Sequence, residues 1–176
     1  MVSTMRLIPL VAAVCAALWL GACSHQNAPA PEPTFSMGEK VPLGHIVYTV
    51  FETRWATQFP LEPTPRLPEH RFFMIRISAV NNGTTDALIP STTLLDDHGN
   101  TYSELNKGDG APQWIGYLRQ AKASAALQGN LLFDVPPQHY KLRVTDETGE
   151  RAALIDIPFS FNTEAPDVAI PPPDKK

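Results

Sequence analysis

The strongest constraint on this chain is a period-two alternation of apolar and polar residues, cut into short runs by turn chemistry. Leu127, Gly129, Leu131, Phe133 and Val135 alternate with Gln128, Asn130 and Asp134, and only Leu132 breaks the polar face. Successive side chains of a strand point to opposite faces, so the pattern describes a strand with one buried side. Pro136-Pro137 ends it, because proline cannot donate to a strand ladder. Tyr140, Leu142 and Val144 then alternate with Lys141, Arg143 and Thr145. Asp146-Glu147-Thr148-Gly149-Glu150 turns the chain into Ala153, Ile155, Ile157 and Phe159, which reads as a hairpin.

The same grammar runs upstream. Ile46, Tyr48 and Val50 alternate with Val47, Thr49 and Phe51, apolar on both faces as in a central strand. Over Phe72–Val80, Phe73, Ile75, Ile77 and Ala79 share one face, with Arg76 and Ser78 on the other. Asn81-Asn82-Gly83-Thr84 ends that run. Shorter strands are expected at Ala87–Ile89 and Thr93–Leu95, and Asp96-Asp97-His98-Gly99-Asn100 turns the chain before Thr101-Tyr102. Alanine and other helix formers near 117–126 predict one short helix. About seven to eight strands at this spacing predict an all-β, immunoglobulin-like antiparallel sandwich of two sheets over residues 35–161.

The N-terminus carries the parts of an export signal. Arg6 precedes the apolar run Leu7–Leu20, which is too short to span a bilayer comfortably. Leu20-Gly21-Ala22-Cys23 follows and resembles a bacterial lipobox, whose cysteine is lipidated and becomes the first mature residue. Leu20 suits an ordinary A-x-A cleavage site poorly, and Ala28-Pro29-Ala30 lies well beyond the apolar run. Residues 1–22 then form the signal, and Cys23 carries the lipid. A thiolate is the nucleophile this acylation needs, and two or three acyl chains hold a membrane where one binds only marginally. Ser24 follows Cys23. An aspartate there is similar to an inner-membrane retention signal, so serine favours the outer membrane, facing the periplasm. Cys15 is lost with the signal, leaving no disulfide and no thiol for catalysis or zinc.

Proline-rich sequence flanks the sandwich on both sides. Residues 23–34 include Asn27-Ala28-Pro29-Ala30-Pro31-Glu32-Pro33 and read as an extended tether, reaching about 30 Å over about ten residues. Residues 162–176 end in Ile170-Pro171-Pro172-Pro173-Asp174-Lys175-Lys176 and read as a frayed tail. The net charge is −4, one unit more negative once Arg6 is removed, and no basic block is present. A nucleic-acid partner is not expected.

Four segments in this order resemble a family of bacterial secreted and lipid-anchored immunoglobulin-like domains of unknown function, the broad group of a mycobacterial secreted immunogenic protein. They are Met37-Gly38-Glu39-Lys40-Val41 with Ile46-Val47-Tyr48-Thr49-Val50, Phe73 to Gly83 with its Asn-Asn-Gly end, Leu94 to Tyr102, and Gly129 to Pro136. The resemblance covers about Met37 to Phe161. It departs before the Gly129 strand, where Gln120-Ala121-Lys122-Ala123-Ser124 holds neither Pro nor Gly. The stretch Trp55 to Glu69, with Pro60, Pro63, Pro65 and Pro68, looks like an insertion. The resemblance implies a fold and a surface location, and no catalytic residues.

The residue patterns nominate no reaction. His25, His45, His70, His98 and His139 show no metal-ligand spacing. Asp96, Asp97, Asn100 and Asp109 do not match an EF-hand loop. No Gly-x-Ser-x-Gly elbow or phosphate-binding glycine loop occurs. No metal, no cofactor and no enzyme activity are expected. Trp55, Phe59, Trp114 and Tyr117 are the candidate binding surface, since loop aromatics bind proteins or stack on sugars; the alternative is that they plug the ends of the sandwich. The expectation is a non-enzymatic, lipid-anchored domain contacting an envelope protein. A carbohydrate- or peptidoglycan-binding module is the alternative, and a hydrolase or metal enzyme comes last.

Overall fold

The computed structural model describes residues 31–160. The signal, the lipobox residues Leu20, Gly21, Ala22 and Cys23, the tether up to Ala30 and the tail at 162–176 lie outside the described residues.

Two sheets face each other. The first is five-stranded, in the order β1 (Thr34–Ser36), β11 (Ala152–Ile157), β10 (Tyr140–Thr145), β6 (Thr93–Leu95), β7 (Thr101–Ser103). The second is four-stranded, in the order β2 (Val41–Leu43), β3 (Ile46–Ala56), β4 (Phe72–Asn81), β9 (Ala126–Asp134). A two-stranded ribbon, β5 (Ala87–Ile89) with β8 (Arg119–Ala121), completes the strands of the described residues. Every pair is antiparallel except β1 with β11. The main core joins Tyr48, Ile75, Ile77, Leu131 and Phe133 of one sheet to Leu94, Tyr140, Leu142, Val144 and Ile155 of the other. Burying each such side chain contributes roughly 1.5–3 kcal/mol. The sandwich fold is therefore the one the alternation predicts.

Two features correct the sequence reading. No helix forms near 117–126: Arg119–Ala121 is strand β8, paired with β5, and β9 begins at Ala126. Arg119 and Ala121 are buried while Gln120 between them is exposed, a period of two. Ser124, at φ 54°, stands in the left-handed region, which an α-helix cannot accommodate. Tertiary contacts override the local helix propensity. The described residues also hold eleven strands rather than seven to eight, because three-residue segments such as β1 and β8 are too short to register as alternation.

The domain also begins earlier than Phe35. The Arg143 guanidinium grips the Glu32 carboxylate, donating from Nε at 2.9 Å and from Nη2 at 2.6 Å. The Leu154 amide donates to the Pro33 carbonyl at 2.9 Å. Glu32, Pro33 and Thr34, read as tether, are fixed to the edge of the five-stranded sheet.

The proline-rich stretch after Trp55 folds back over the outer face of the four-stranded sheet. Phe59 and Arg66 exchange backbone hydrogen bonds at 2.9 Å, which sets the Phe59 ring on Phe72 at 4.3 Å. Arg66 lies over the same Phe72 ring at 5.1 Å and donates to the Lys107 carbonyl at 3.0 Å. Phe59, Phe72, Met74 and Leu132 thus form a second, smaller core outside the sandwich. That core accounts for Leu132, the one large apolar residue on the polar side of β9.

Candidate functional site

A bulge in β3 decides which side chains reach the outer face of the four-stranded sheet. Val50 pairs with Ile77, but the next pair is Glu52 with Arg76, so Phe51 is an extra residue. One extra residue reverses the facing of everything after it. Ile46, Tyr48 and Val50 face the core before the bulge; Thr53 and Trp55 face it afterwards, paired with Ile75 and Phe73. Glu52 and Arg54 are turned outward as a result. In an unbulged strand they would point into the core. Phe51 itself is 52% exposed.

The register then assembles a polar groove. Glu52, Arg76 and Asn130 lie in one row across β3, β4 and β9, and Arg54, Met74 and Leu132 form the next. Arg54 and Arg76 are diagonal neighbours, with backbones about 7–8 Å apart and side chains long enough to meet. Pro112 and Gln113 wall the groove, whose volume is about 160 Å³.

The wall is fixed to the strand. The Asn130 amide donates to the Gln113 carbonyl at 2.8 Å, and the Ile115 amide donates to the Asn130 carbonyl at 3.2 Å. Asn130 Nδ2 donates to the Pro112 carbonyl at 2.8 Å, which leaves Oδ1 as the acceptor of that side chain. This close approach requires Gly129, at φ 154°. A Cβ there would sit 2.3 Å from Ile115 Cγ2 and 2.4 Å from the Gln113 oxygen. Gln113 stands in the left-handed region at φ 48°, a strained state that its hydrogen-bonded surroundings hold in place.

Electrostatically the groove is unusual for an acidic chain. Neither the Arg54 nor the Arg76 side chain has an ion pair or hydrogen-bond partner among the described residues, and the Glu52 carboxylate, directly across from Arg76, has none either. Two cations, one carboxylate and one amide oxygen therefore face solvent over an apolar floor at Met74. β2 covers only Ile46–Tyr48, and the Gly38 amide bonds the Val50 carbonyl. Beyond Val50 no strand pairs with the outer edge of β3 among the described residues.

A buried ion pair supports the loop that leads to this wall. Glu104 and Arg119 have side chains 0% and 1% exposed. Arg119 donates to both Glu104 oxygens, by a short contact from Nη1 and at 2.9 Å from Nη2. It also donates to the carbonyls of Gly116 at 2.8 Å and Pro90 at 3.1 Å. Glu104 accepts from the Thr92 amide at 3.1 Å and its hydroxyl at 2.9 Å. The pair binds the β5–β8 ribbon to the loop between β7 and β8. Trp114 in that loop lies against Gly108, where a Cβ would come within 2.0 Å of its ring.

Elsewhere the polar side chains stabilise turns. Asp96 accepts from the amides of His98 and Asn100 and from Asn100 Nδ2, and these bonds lower its pKa to about 2. His139 sits between two carboxylates, Asp97 at 2.8 Å from Nδ1 and Asp156 at 2.9 Å from Nε2. The hydrogen bond with Asp97 leads the effects that raise its pKa. Because the two acids engage opposite ring nitrogens, they do not converge on one ion. Among the described residues no group of three His, Cys, Asp or Glu is arranged to hold a metal.

The four predicted aromatics are divided between the main core, which takes Trp55, the outer core, which takes Phe59 and Trp114, and the loop that holds Tyr117. Trp55 faces inward and stacks on Phe73 at 4.1 Å, with Phe159 at its edge at 6.5 Å. Phe59 is buried, and Trp114 packs against the same outer core. Tyr117 is half-buried in the loop before β8. Arg76 and Asn130 were visible in the sequence on the polar faces of their strands. Glu52 and Arg54 were not, because no residue pattern marked the bulge.

The chain matches no protein-family model and no curated protein. It is similar in structure to several solved bacterial proteins. The yjhA protein of Bacillus subtilis superimposes with a TM-score of 0.55 at 15% identity, over 70% of this chain and 99% of that one. MPT63, a secreted protein of Mycobacterium tuberculosis, gives 0.53 at 14% identity, over 73% and 99%. An uncharacterized β-sandwich protein of Clostridium difficile gives 0.50 at 13% identity, over 73% and 95%. The shared property is the fold, and the mycobacterial secreted protein is among those that have it, as the sequence motifs implied.

Proposed function

We propose that this chain is an exported envelope lipoprotein, anchored through Cys23, whose β-sandwich is a non-enzymatic module for protein–protein contact in the periplasm. The groove carries the interaction part of this reading. Two arginines whose side chains have no ion pair or hydrogen bond among the described residues stand on an outer sheet face, and an arginine so placed on a built surface suits recognition of another molecule. The anchoring part rests on Leu20-Gly21-Ala22-Cys23 after an apolar run. Ser24 in place of aspartate favours the outer membrane. The secreted nature of MPT63, which shares the fold, is consistent with export.

Two measurements test it. Cys23→Ala should accumulate as an unprocessed or mislocalised precursor; normal processing and membrane fractionation of that variant would remove the anchor. Crosslinking in intact cells, followed by purification, should recover a defined envelope protein with the parent chain. Recovery of none, across crosslinkers and at physiological salt, would sink the interaction reading.

A further inference from the structure

The groove on the four-stranded sheet is more specific than an anion patch. Arg54 and Arg76 approach it from adjacent strands as diagonal neighbours. A guanidinium presents a planar fork that matches the two oxygens of a carboxylate. Glu52 stands directly across from Arg76. A multiply charged anion placed on Arg76 would lie against that carboxylate and be repelled. A suitable ligand brings a single negative charge together with an N–H donor for Glu52 or for Asn130 Oδ1. Asn130 Nδ2 is already held by Pro112, so the amide offers its acceptor side. Met74 and Pro112 supply apolar surface beside these groups. The volume, about 160 Å³, is below the roughly 300–1,000 Å³ of sites that enclose a whole small molecule. It fits one end of a longer ligand.

We propose that the groove receives the C-terminal residue of a protein partner, with its carboxylate on Arg54 and Arg76, its amide N–H against Asn130 or Glu52, and its side chain on Met74 and Pro112. A chain terminus supplies all three features within one residue. This deepens the reading of the domain as an interaction module and rests on it.

The test is calorimetric titration of the processed protein, purified from cells, with acetyl-Ala-Val. Saturable binding is expected. The same peptide with an amidated C-terminus should bind at least about tenfold more weakly, as should the free-acid peptide to Arg54→Gln or Arg76→Gln, since a hydrogen bond to a charged group contributes about 1.5–3 kcal/mol. Inorganic phosphate should fail to displace the peptide. Equal binding of the amidated peptide overturns the proposal, and that arm needs no variant. Displacement by phosphate overturns it in favour of a plain anion site. Equal or stronger binding of the peptide ending in D-Val overturns the protein source. Recovery of a crosslinked partner together with no peptide binding would reject the groove while leaving the interaction module standing.

Discussion

Removing Arg119 should destabilise this domain more than any surface change, and removing its partner as well should restore part of the loss. The pair is fully enclosed. In Arg119→Met, Glu104 keeps its bonds from Thr92 but loses its counter-charge, and the Gly116 and Pro90 carbonyls lose a donor. Breaking a buried pair on one side costs about 3–5 kcal/mol. That is a large share of the 5–15 kcal/mol that holds a typical domain together. At about 4 °C per kcal/mol for a domain of this size, the thermal midpoint should fall by about 12–20 °C. Glu104→Leu should do the same by stranding the guanidinium. The double variant leaves no buried charge, so its loss should fall short of the sum by at least about 2 kcal/mol. Thermal and urea unfolding followed by circular dichroism measures all three. The deficit should also persist at high salt, because an enclosed pair is little screened. Additivity within about 0.5 kcal/mol, or a single-variant loss below about 1 kcal/mol, would refute the argument.

Two further outcomes follow from the same geometry. His139 has a raised pKa, so its contribution is complete below the ordinary histidine value near 6.5 and is lost as pH rises through the raised folded value. The thermal midpoint should fall between pH 6 and pH 8.5 by more in the parent than in His139→Gln, and equal falls would show that the two carboxylates do not hold the imidazolium. Gly129→Ala forces a Cβ into the Gln113 oxygen and parts two backbone hydrogen bonds. It should cost about 2–4 kcal/mol and speed amide exchange at Ile115, whereas unchanged exchange there would mean that the wall does not depend on glycine.

How much of this was legible in the sequence depended on length. β4, β9 and the β10–β11 hairpin could be read because each is six or more residues long and keeps one face on the main core. β8 could not. Three residues carry no period, and the alanines beside them favour helix. The force that makes Arg119–Ala121 a strand is a long-range one, the pairing with β5 and the capture of Arg119 by Glu104. Leu132 was visible as an anomaly on a polar face, but its partner Phe59 lies in a proline-rich segment with no regular pattern. The groove was half legible: Arg76 and Asn130 were on polar faces, and the bulge that adds Glu52 and Arg54 was hidden within an apolar run.

That bulge makes the link between fold and site testable. Phe51 is the extra residue, so deleting it joins Val50 to Glu52 with their pairs to Ile77 and Arg76 intact. The core face and the groove both survive, and an exposed aromatic is lost. Deleting Thr53 instead shifts everything after Glu52 by one position. Arg54 then turns inward against Ile75, and Trp55 leaves its stack on Phe73. An unpaired buried charge costs several kcal/mol, and the displaced indole adds to that, which together approach the stability of the whole domain. The Phe51 deletion should therefore fold cooperatively within about 2 kcal/mol of the parent, by the mutational scale for tolerated changes, and should bind the same peptide. The Thr53 deletion should fail to fold or lose most of its stability. If urea unfolding finds the two deletions equally damaging, the extra residue is not what aims Glu52 and Arg54 outward.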